Sequence, residues 1–196
     1  MNLPNKLTIS RLALTLGFLA ALFSEAPYHE TVAMVLFVAA SLTDYYDGKI
    51  ARRDKLITTF GILMDPLADK ILVCSAFIVF VGRGWIPAWM AVIVVVRELA
   101  ITGLRMLAAS KAVVLPAEGY GKYKTICQVV AIISLLVLVS YLQWGPVGRA
   151  VFGIDLMGKP WVARFTQVAL WAAVLQTLYS GAMYLWRNRK LYLEDL

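Results

Sequence analysis

Four aspartates in the first half of the chain have types and spacings that suit a metal-binding site. Asp44 and Asp47 are three residues apart, and Asp65 and Asp69 are four apart. On helices, each spacing puts the two side chains of a pair on one face. Clustered carboxylates repel one another unless they take up protons or bind cations, and oxygen ligands suit Mg²⁺, Mn²⁺ or Ca²⁺. Two such ions bridged by carboxylates are a common arrangement for displacement at phosphorus.

Small residues and one arginine accompany the aspartates, at Gly48, Ala51, Arg52 and Gly61. Glycine and alanine leave space on a helix surface that a flat group such as a nucleobase could fill, although close packing between membrane helices uses the same residues. The guanidinium of Arg52 suits a phosphate because it can donate two parallel hydrogen bonds. Proline disfavours helical geometry at the preceding residue, so a helix either begins near Pro66 or bends there.

The composition indicates that these residues belong to an integral membrane protein. Of the 196 residues, 61% are hydrophobic and 16% are charged, whereas a soluble domain carries about 25% charged residues. The mean hydropathy of +0.74 points the same way. The surplus of apolar side chains must face lipid, which excludes an ordinary soluble domain. The net charge of +7 would suit nucleic acid or an anionic membrane surface, and its distribution decides between them.

The apolar segments predict an all-α polytopic membrane protein with six transmembrane helices, in a single domain that covers residues 1–196. A short interfacial helix is expected over residues 1–8, because apolar and polar side chains alternate there around Pro4. Two segments rich in Gly and Pro, 109–121 and 145–160, are predicted to be loops. The spans are predicted at about residues 9–25, 31–52, 60–82, 85–108, 125–144 and 162–186.

The lysines and arginines predict the orientation of the chain. If the N-terminus is cytoplasmic, the inner segments hold most of the cations and the outer loops hold few, as the positive-inside rule requires. Both termini and the aspartates are then expected on the cytoplasmic side of a bacterial inner membrane, and nucleic acid is not needed to explain the charge. The inner cations are Lys6, Arg11, Lys49, Arg52, Arg53, Lys55, Lys111, Lys122, Lys124, Arg187, Arg189 and Lys190, and the outer ones are Arg83, Arg149, Lys159 and Arg164.

Taken together, the aspartates and their neighbours spell D-x-x-D-G-x-x-A-R, then eight residues, then G-x-x-x-D-x-x-x-D. This pattern resembles the signature of the CDP-alcohol phosphotransferase family at every defined position, and the six-span topology is also similar. The resemblance implies transfer of a phosphatidyl group from a CDP-linked lipid to an alcohol, with two divalent cations and a homodimer. It implies that Asp44, Asp47, Asp65 and Asp69 bind metal and that Asp69 is also the general base. The CDP pocket would contain Gly48, Ala51, Arg52 and Gly61, with Asn5 and Thr8 from a looser N-terminal pattern.

A second motif bears on the alcohol acceptor. The stretch "RELAITGLR" carries Arg97, Glu98 and Arg105, and Lys122 and Lys124 begin the next apolar segment. Several cations beside a metal site suit a phosphorylated alcohol rather than a neutral one, since charges inside a membrane usually serve a function. The motif resembles the branch of the family that uses glycerol 3-phosphate. In the other interpretation, Arg97 and Glu98 only stabilise the helix bundle and the lysines only set orientation.

Three alternatives stay open at this point. The same chemistry could use another acceptor, of which inositol phosphate is the strongest rival because it also needs a phosphate pocket. A divalent-cation transporter could use the aspartates as its binding site, although such sites usually lie near the midplane of the membrane. A lipid-binding or scaffold protein without catalysis would leave the four carboxylates unexplained.

Overall fold

The computed structural model describes residues 3–54, 59–111 and 120–193. Only the backbone, and not the side chain, is described at residues 3–8, 44–54, 59–66, 69, 120, 122, 190 and 193. The described backbone is helical, apart from short turns and an isolated bridge between Asp155 and Pro160. Its helices are α1 (Leu3–Phe23), α2 (His29–Asp54), α3 (Thr59–Gly82), α4 (Ala88–Ser110), α5 (Tyr120–Ser140), α6 (Gly145–Phe152), α7 (Trp161–Arg187) and α8 (Lys190–Leu193).

The all-α fold class is confirmed, and a long helix lies at each of the six predicted spans, namely α1 to α5 and α7. Two helical stretches within the described residues, Tyr123–Phe152 and Trp161–Arg187, are long and apolar enough to cross a membrane by length and composition. Together with the apolar composition, they fit a membrane protein. The full set of six spans and the interfacial placement of residues 1–8 remain predictions, although α1 runs without a break across that boundary.

Local sequence signals explain several helix boundaries. Gly84, with φ +71°, follows the end of α3, and Pro87 precedes α4 in extended geometry, which directs the chain into a new helix. Pro160 precedes α7 in the same way. Pro66 lies inside α3, which begins at Thr59, so the helix does not start at that proline.

The prediction of a loop over residues 145–160 was wrong in its first half, because residues Gly145–Phe152 form α6 after a 3₁₀ turn at Tyr141–Trp144. The dipeptide Gly145-Pro146 was interpreted as a loop signal, but proline is also favoured in the first turn of a helix, where its missing N–H costs nothing. Of the other predicted loop, 109–121, residues 112–119 lie outside the described part of the chain.

One apolar core joins the long helices. It contains Phe18 and Leu22 of α1, Phe37 of α2, Phe77 of α3 and Ile132 of α5, all fully buried. Helix α1 packs against both α2 and α3, and α7 packs against both α4 and α5. The rings of Phe18 and Phe37 lie 5.5 Å apart and mark the register between α1 and α2.

Aromatic and polar contacts close the end of the bundle that carries α6. Trp144 donates a hydrogen bond from Nε1 to Thr31 Oγ1 at 2.9 Å, and Gln143 Nε2 donates one to Glu30 Oε2 at 2.7 Å. Phe152 stacks on Trp161 at 5.8 Å. Tryptophans concentrate at membrane–water interfaces because their rings are apolar and their N–H groups are polar. This end is therefore the expected outer face, opposite the aspartates.

Candidate active site

The two aspartate pairs lie at similar distances from two helix ends that are neighbours in the chain. Helix α2 ends at Asp54 and α3 begins at Thr59. Asp44 lies ten residues before the end of α2, and Asp69 lies ten residues after the start of α3, which is about 15 Å along each helix. The inner pair, Asp47 and Asp65, lies seven and six residues from the same helix ends. Sequence spacing and connectivity thus bring four carboxylate-bearing positions to one end of the fold.

The remaining motif residues lie on the same helices. Gly48, Ala51 and Arg52 belong to the last turns of α2, and Gly61 belongs to the first turn of α3. The softer N-terminal positions, Asn5 and Thr8, lie in the first turns of α1. The side chains of these residues and of the four aspartates are outside the described set, so their predicted contacts with CDP and metal stay predictions.

The chemistry of the four positions fits divalent cations. Carboxylates are among the ligands that Mg²⁺ and Mn²⁺ prefer, and such ions complete their coordination with waters and substrate phosphates. Among the side chains that the structure describes, no group of three or more His, Cys, Asp or Glu is close enough to hold a metal. The four aspartates lie outside that set, and their role as metal ligands stays a prediction.

A buried arginine of α1 lies at the same depth as the aspartates. Arg11 lies seven residues before Phe18 on α1, and Asp44 lies seven residues after Phe37 on α2. Because α1 and α2 are antiparallel and Phe18 contacts Phe37, Arg11 and Asp44 are expected at the same depth in the bundle. Arg11 is only 1% exposed. Sequence reasoning interpreted Arg11 as an orientation signal, and its burial is a feature that sequence did not indicate.

The residue after the last aspartate links α3 to α4. The amine of Lys70 donates a hydrogen bond to Thr102 Oγ1, and that hydroxyl donates to the carbonyl oxygen of Glu98 at 2.7 Å. The second motif of the sequence therefore lies beside the end of α3 that carries Asp65 and Asp69. This link joins the α3 and α4 segments that carry parts of the two motifs.

Glu98 lies at the centre of a buried ionic cluster. Its Oε1 accepts a hydrogen bond from the amine of Lys124 on α5 and lies 3.4 Å from Nη1 of Arg97. The side chains of Glu98, Lys124 and Arg97 are only 6%, 8% and 13% exposed. The contact between Arg97 and Glu98 is the one expected of a purely structural pair. Two cations from α4 and α5 therefore meet at one buried carboxylate.

Arg97 is poorly satisfied by its protein contacts. Its bonds to Glu98 Oε1 and to Ser180 Oγ are both 3.4 Å, well beyond the usual 2.9 Å of an N–H···O bond. Its Nε is buried and has no hydrogen-bond partner among the described residues. Since buried donors are nearly always paired, this guanidinium has unused capacity for a ligand such as phosphate.

The other two residues predicted to bind the acceptor phosphate are Arg105 and Lys122. Arg105, two turns after Arg97 on α4, donates from Nε to the hydroxyl of Tyr184 on α7 at 3.3 Å. Lys122 lies in the first turn of α5, two residues before Lys124, and its side chain is outside the described set. Sequence reasoning did not anticipate the partners Ser180 and Tyr184, because a serine and a tyrosine are unremarkable in an apolar helix.

An apolar groove of about 380 Å³ opens beside this end of the fold. Its walls come from α2, α3 and α5, and its rim includes the exposed side chains of Leu42 and Ile126. On α2 the groove reaches Ser41 and Leu42, less than one turn from Asp44, and on α5 it reaches Thr125, next to Lys124. The groove therefore extends along α2, α3 and α5 from the neighbourhood of Asp44 and Lys124.

Comparison with known proteins agrees with the residues assembled here. The model of the CDP-alcohol phosphatidyltransferase family matches residues 1–179, and the chain belongs to that family. It is 37% identical to the CDP-diacylglycerol–glycerol-3-phosphate 3-phosphatidyltransferase of Bacillus subtilis, with 95% of both chains covered. It is 33% identical to the protein of that name from Rickettsia bellii, with 97% of both covered.

A third relative has a related name. The chain is 38% identical to a probable phosphatidylglycerophosphate synthase of Mycobacterium tuberculosis, over 95% of this chain and 81% of the relative. These matches confirm the family that the aspartate signature predicted.

Proposed function

We propose that this chain is a phosphatidylglycerophosphate synthase that transfers the phosphatidyl group of CDP-diacylglycerol to glycerol 3-phosphate. The products are phosphatidylglycerol phosphate and CMP. Family membership and the printed names of relatives that match nearly the whole chain support this reaction. The observation that carries the proposal is the link from Lys70, the residue after Asp69 on α3, through Thr102 to Glu98, where Arg97 and Lys124 meet.

The aspartates would supply the reaction centre. Asp44, Asp47, Asp65 and Asp69 would hold two divalent cations, Mg²⁺ or Mn²⁺, in keeping with the general use of such cations in this family. Bound there, the cations would neutralise the negative charge of the pyrophosphate and of the departing CMP. Asp69 would accept the proton of the acceptor hydroxyl. The hydroxyl oxygen then bonds to the β-phosphorus as the bond from that phosphorus to the bridging oxygen breaks.

The nucleotide half of the donor would lie along the small residues of the first motif. Gly48, Ala51 and Gly61 provide room for the cytosine, and Arg52 would donate to its phosphates. Asn5 and Thr8 would approach the nucleotide from α1, which packs against both aspartate-bearing helices. The lipid half would extend into the apolar groove between α2, α3 and α5, which begins less than one turn from Asp44.

The acceptor phosphate would be bound by Arg97, Arg105, Lys122 and Lys124. The convergence of Arg97 and Lys124 on Glu98, and the buried Nε of Arg97 that has no hydrogen-bond partner among the described residues, support this role. A dianionic phosphate would give Arg97 the partner that the described protein residues do not provide. A neutral alcohol would offer the buried guanidinium of Arg97 no anionic partner, and a buried donor left unpaired is costly.

The finer points of architecture belong to the same proposal. The chain would form one domain over residues 1–196, cross the bacterial inner membrane six times and keep both termini and the site on the cytoplasmic side. The aromatic contacts at the opposite end support that orientation. The protein would act as a homodimer, as the family resemblance implies, and the mass of the detergent-solubilised protein checks this.

One assay tests the proposed reaction. The purified chain is given CDP-diacylglycerol and Mg²⁺ with a panel of acceptors, and CMP release is measured. Glycerol 3-phosphate should stimulate release, while serine, inositol phosphate and phosphatidylglycerol should not. Stimulation by inositol phosphate instead would keep the chemistry and overturn the acceptor. Metal flux in proteoliposomes without CMP release from any acceptor would favour a cation transporter.

A further inference from the structure

The last long helix, α7, contacts both arginines of the acceptor motif. Contacts between α4 and α7 follow the same order along both helices: Trp89 with Trp171, Arg97 with Ser180, and Arg105 with Tyr184. The two helices are therefore parallel and in register. The second half of α7 runs beside the arginines of α4, although no residue of α7 belongs to either sequence motif.

A glycine of α7 makes room for Arg97. A Cβ atom at Gly181 would lie 2.9 Å from Cγ of Arg97, closer than real Cβ contacts. Cγ is near the start of the Arg97 side chain, so a methyl group at Gly181 would displace the whole side chain beyond Cβ, including the guanidinium. Ser180, the residue before, accepts a bond from Arg97 Nη2. The α7 backbone and Ser180 thus fix the path and the end of the Arg97 side chain.

Tyr184, one turn farther along α7, holds Arg105 in two ways. Its hydroxyl accepts the bond from Arg105 Nε, and its ring lies 5.7 Å from the Arg105 guanidinium carbon. Tyr184 is itself fixed, since it is only 4% exposed and packs with Ile101 and Leu104 of α4. With Nε engaged by the tyrosine, the terminal nitrogens of Arg105 remain for a ligand.

We infer that α7 is the positioning element of the acceptor pocket, in which Ser180, Gly181 and Tyr184 set the directions of Arg97 and Arg105. The inference rests on the proposed function, because it assigns these two arginines to the phosphate of the acceptor. The three residues are positioning residues that act through the arginines and do not touch the reacting atoms. They set the affinity for the phosphorylated alcohol and leave the donor lipid and the aspartates unaffected.

Two variants of α7 test this role, each with a matched control. Gly181→Ala adds a methyl group against Arg97, and Tyr184→Phe removes the hydroxyl while keeping the ring. The control for the first is Gly103→Ala on α4, where a Cβ meets nothing within 4 Å. The control for the second is Tyr141→Phe, a buried tyrosine at the opposite end of the bundle. KM for glycerol 3-phosphate, KM for CDP-diacylglycerol and kcat are measured for each.

The expected result is a selective loss of acceptor affinity. Tyr184→Phe should raise KM for glycerol 3-phosphate about fivefold, the usual effect of one lost hydrogen bond. Gly181→Ala should raise it about tenfold, since a small displacement of a positioned charge is costly. In both variants KM for CDP-diacylglycerol and kcat should stay within about twofold, and the two controls should match the wild type.

The outcomes separate the inference from the proposed function. A wild type that releases no CMP with glycerol 3-phosphate contradicts the function itself. An active wild type whose α7 variants keep the normal KM for glycerol 3-phosphate overturns the positioning role. So does an equal rise in both KM values, or a fall in kcat alone, because either pattern indicates a general structural role. If Gly181→Ala does not fold, Ser180→Ala and Tyr184→Phe decide by the same criteria.

Discussion

Lys124 on α5 and Glu98 on α4 form a buried ion pair that joins two helices at the candidate acceptor site. Glu98 also lies 3.4 Å from Arg97, so one carboxylate serves two cations. Removing a partner from a buried pair usually costs much more than the pair contributes, because the remaining charge is left uncompensated. The shared carboxylate therefore matters more to the fold than either cation.

The first prediction follows from that asymmetry. Glu98→Gln removes the carboxylate that both Arg97 and Lys124 contact and should destabilise the protein by about 3–5 kcal/mol. Lys124→Met leaves Glu98 with Arg97 and should cost less. The thermal midpoint in detergent checks the order, with Glu25→Gln, at an exposed turn position, as the control. The double variant with both Glu98→Gln and Lys124→Met should lose less stability than the two single losses added together, by at least about 1 kcal/mol. A loss equal to that sum would mean that the pair is not coupled.

The second prediction concerns the aspartates. Replacing any one of Asp44, Asp47, Asp65 and Asp69 by Asn keeps the size and removes the charge, so each variant should lose at least about 100-fold in CMP release. Asp155→Asn, in the exposed turn before α7, should keep full activity. Raising the Mg²⁺ concentration should partly restore the metal-ligand variants but not Asp69→Asn, because a lost proton acceptor is not replaced by metal. Full turnover of Asp69→Asn would exclude it as the base.

Much of this arrangement was predictable from sequence, for identifiable reasons. The long helices follow from runs of apolar residues, and the positions of the aspartates near the end of α2 and the start of α3 follow from their place in the sequence. Helix α6 was missed because Gly145-Pro146 signals a loop and a helix start equally well. The burial of Arg11 and the pairing of Glu98 with Lys124, 26 residues away, arise from tertiary packing, which local patterns do not encode. The contribution of α7 was invisible for the same reason.

The third prediction concerns Arg11, which is buried on α1 at the depth of Asp44. A cation beside carboxylates and a pyrophosphate would offset their mutual repulsion. Arg11→Met keeps the bulk and removes the charge, and it should reduce CMP release at least about tenfold. Arg83→Met, at the opposite end of the bundle, is the matched control and should remain active. Equal activity of the Arg11 and Arg83 variants would place Arg11 outside the site.

The fourth prediction tests the apolar groove. Val129 of α5 lines it together with Val73 of α3, so Val129→Phe should fill part of the space meant for an acyl chain. KM for CDP-diacylglycerol should rise about threefold to tenfold, whereas KM for glycerol 3-phosphate should not change. The substitution Val168→Phe on the exposed face of α7 is the control. If a short-chain donor loses as much affinity as a long-chain one, the groove does not hold the acyl chains.

The most direct test of the central claim is the incorporation of labelled glycerol 3-phosphate into lipid by the purified chain. The protein is first stripped of metal with a chelator, and Mg²⁺ is then added back in steps. The account predicts that label enters the lipid fraction only when both CDP-diacylglycerol and Mg²⁺ are present, with CMP released in equal amount, and that Asp47→Asn shifts the Mg²⁺ dependence to higher concentration. Undiminished incorporation by the stripped protein, or an unchanged Mg²⁺ dependence in Asp47→Asn, would contradict it.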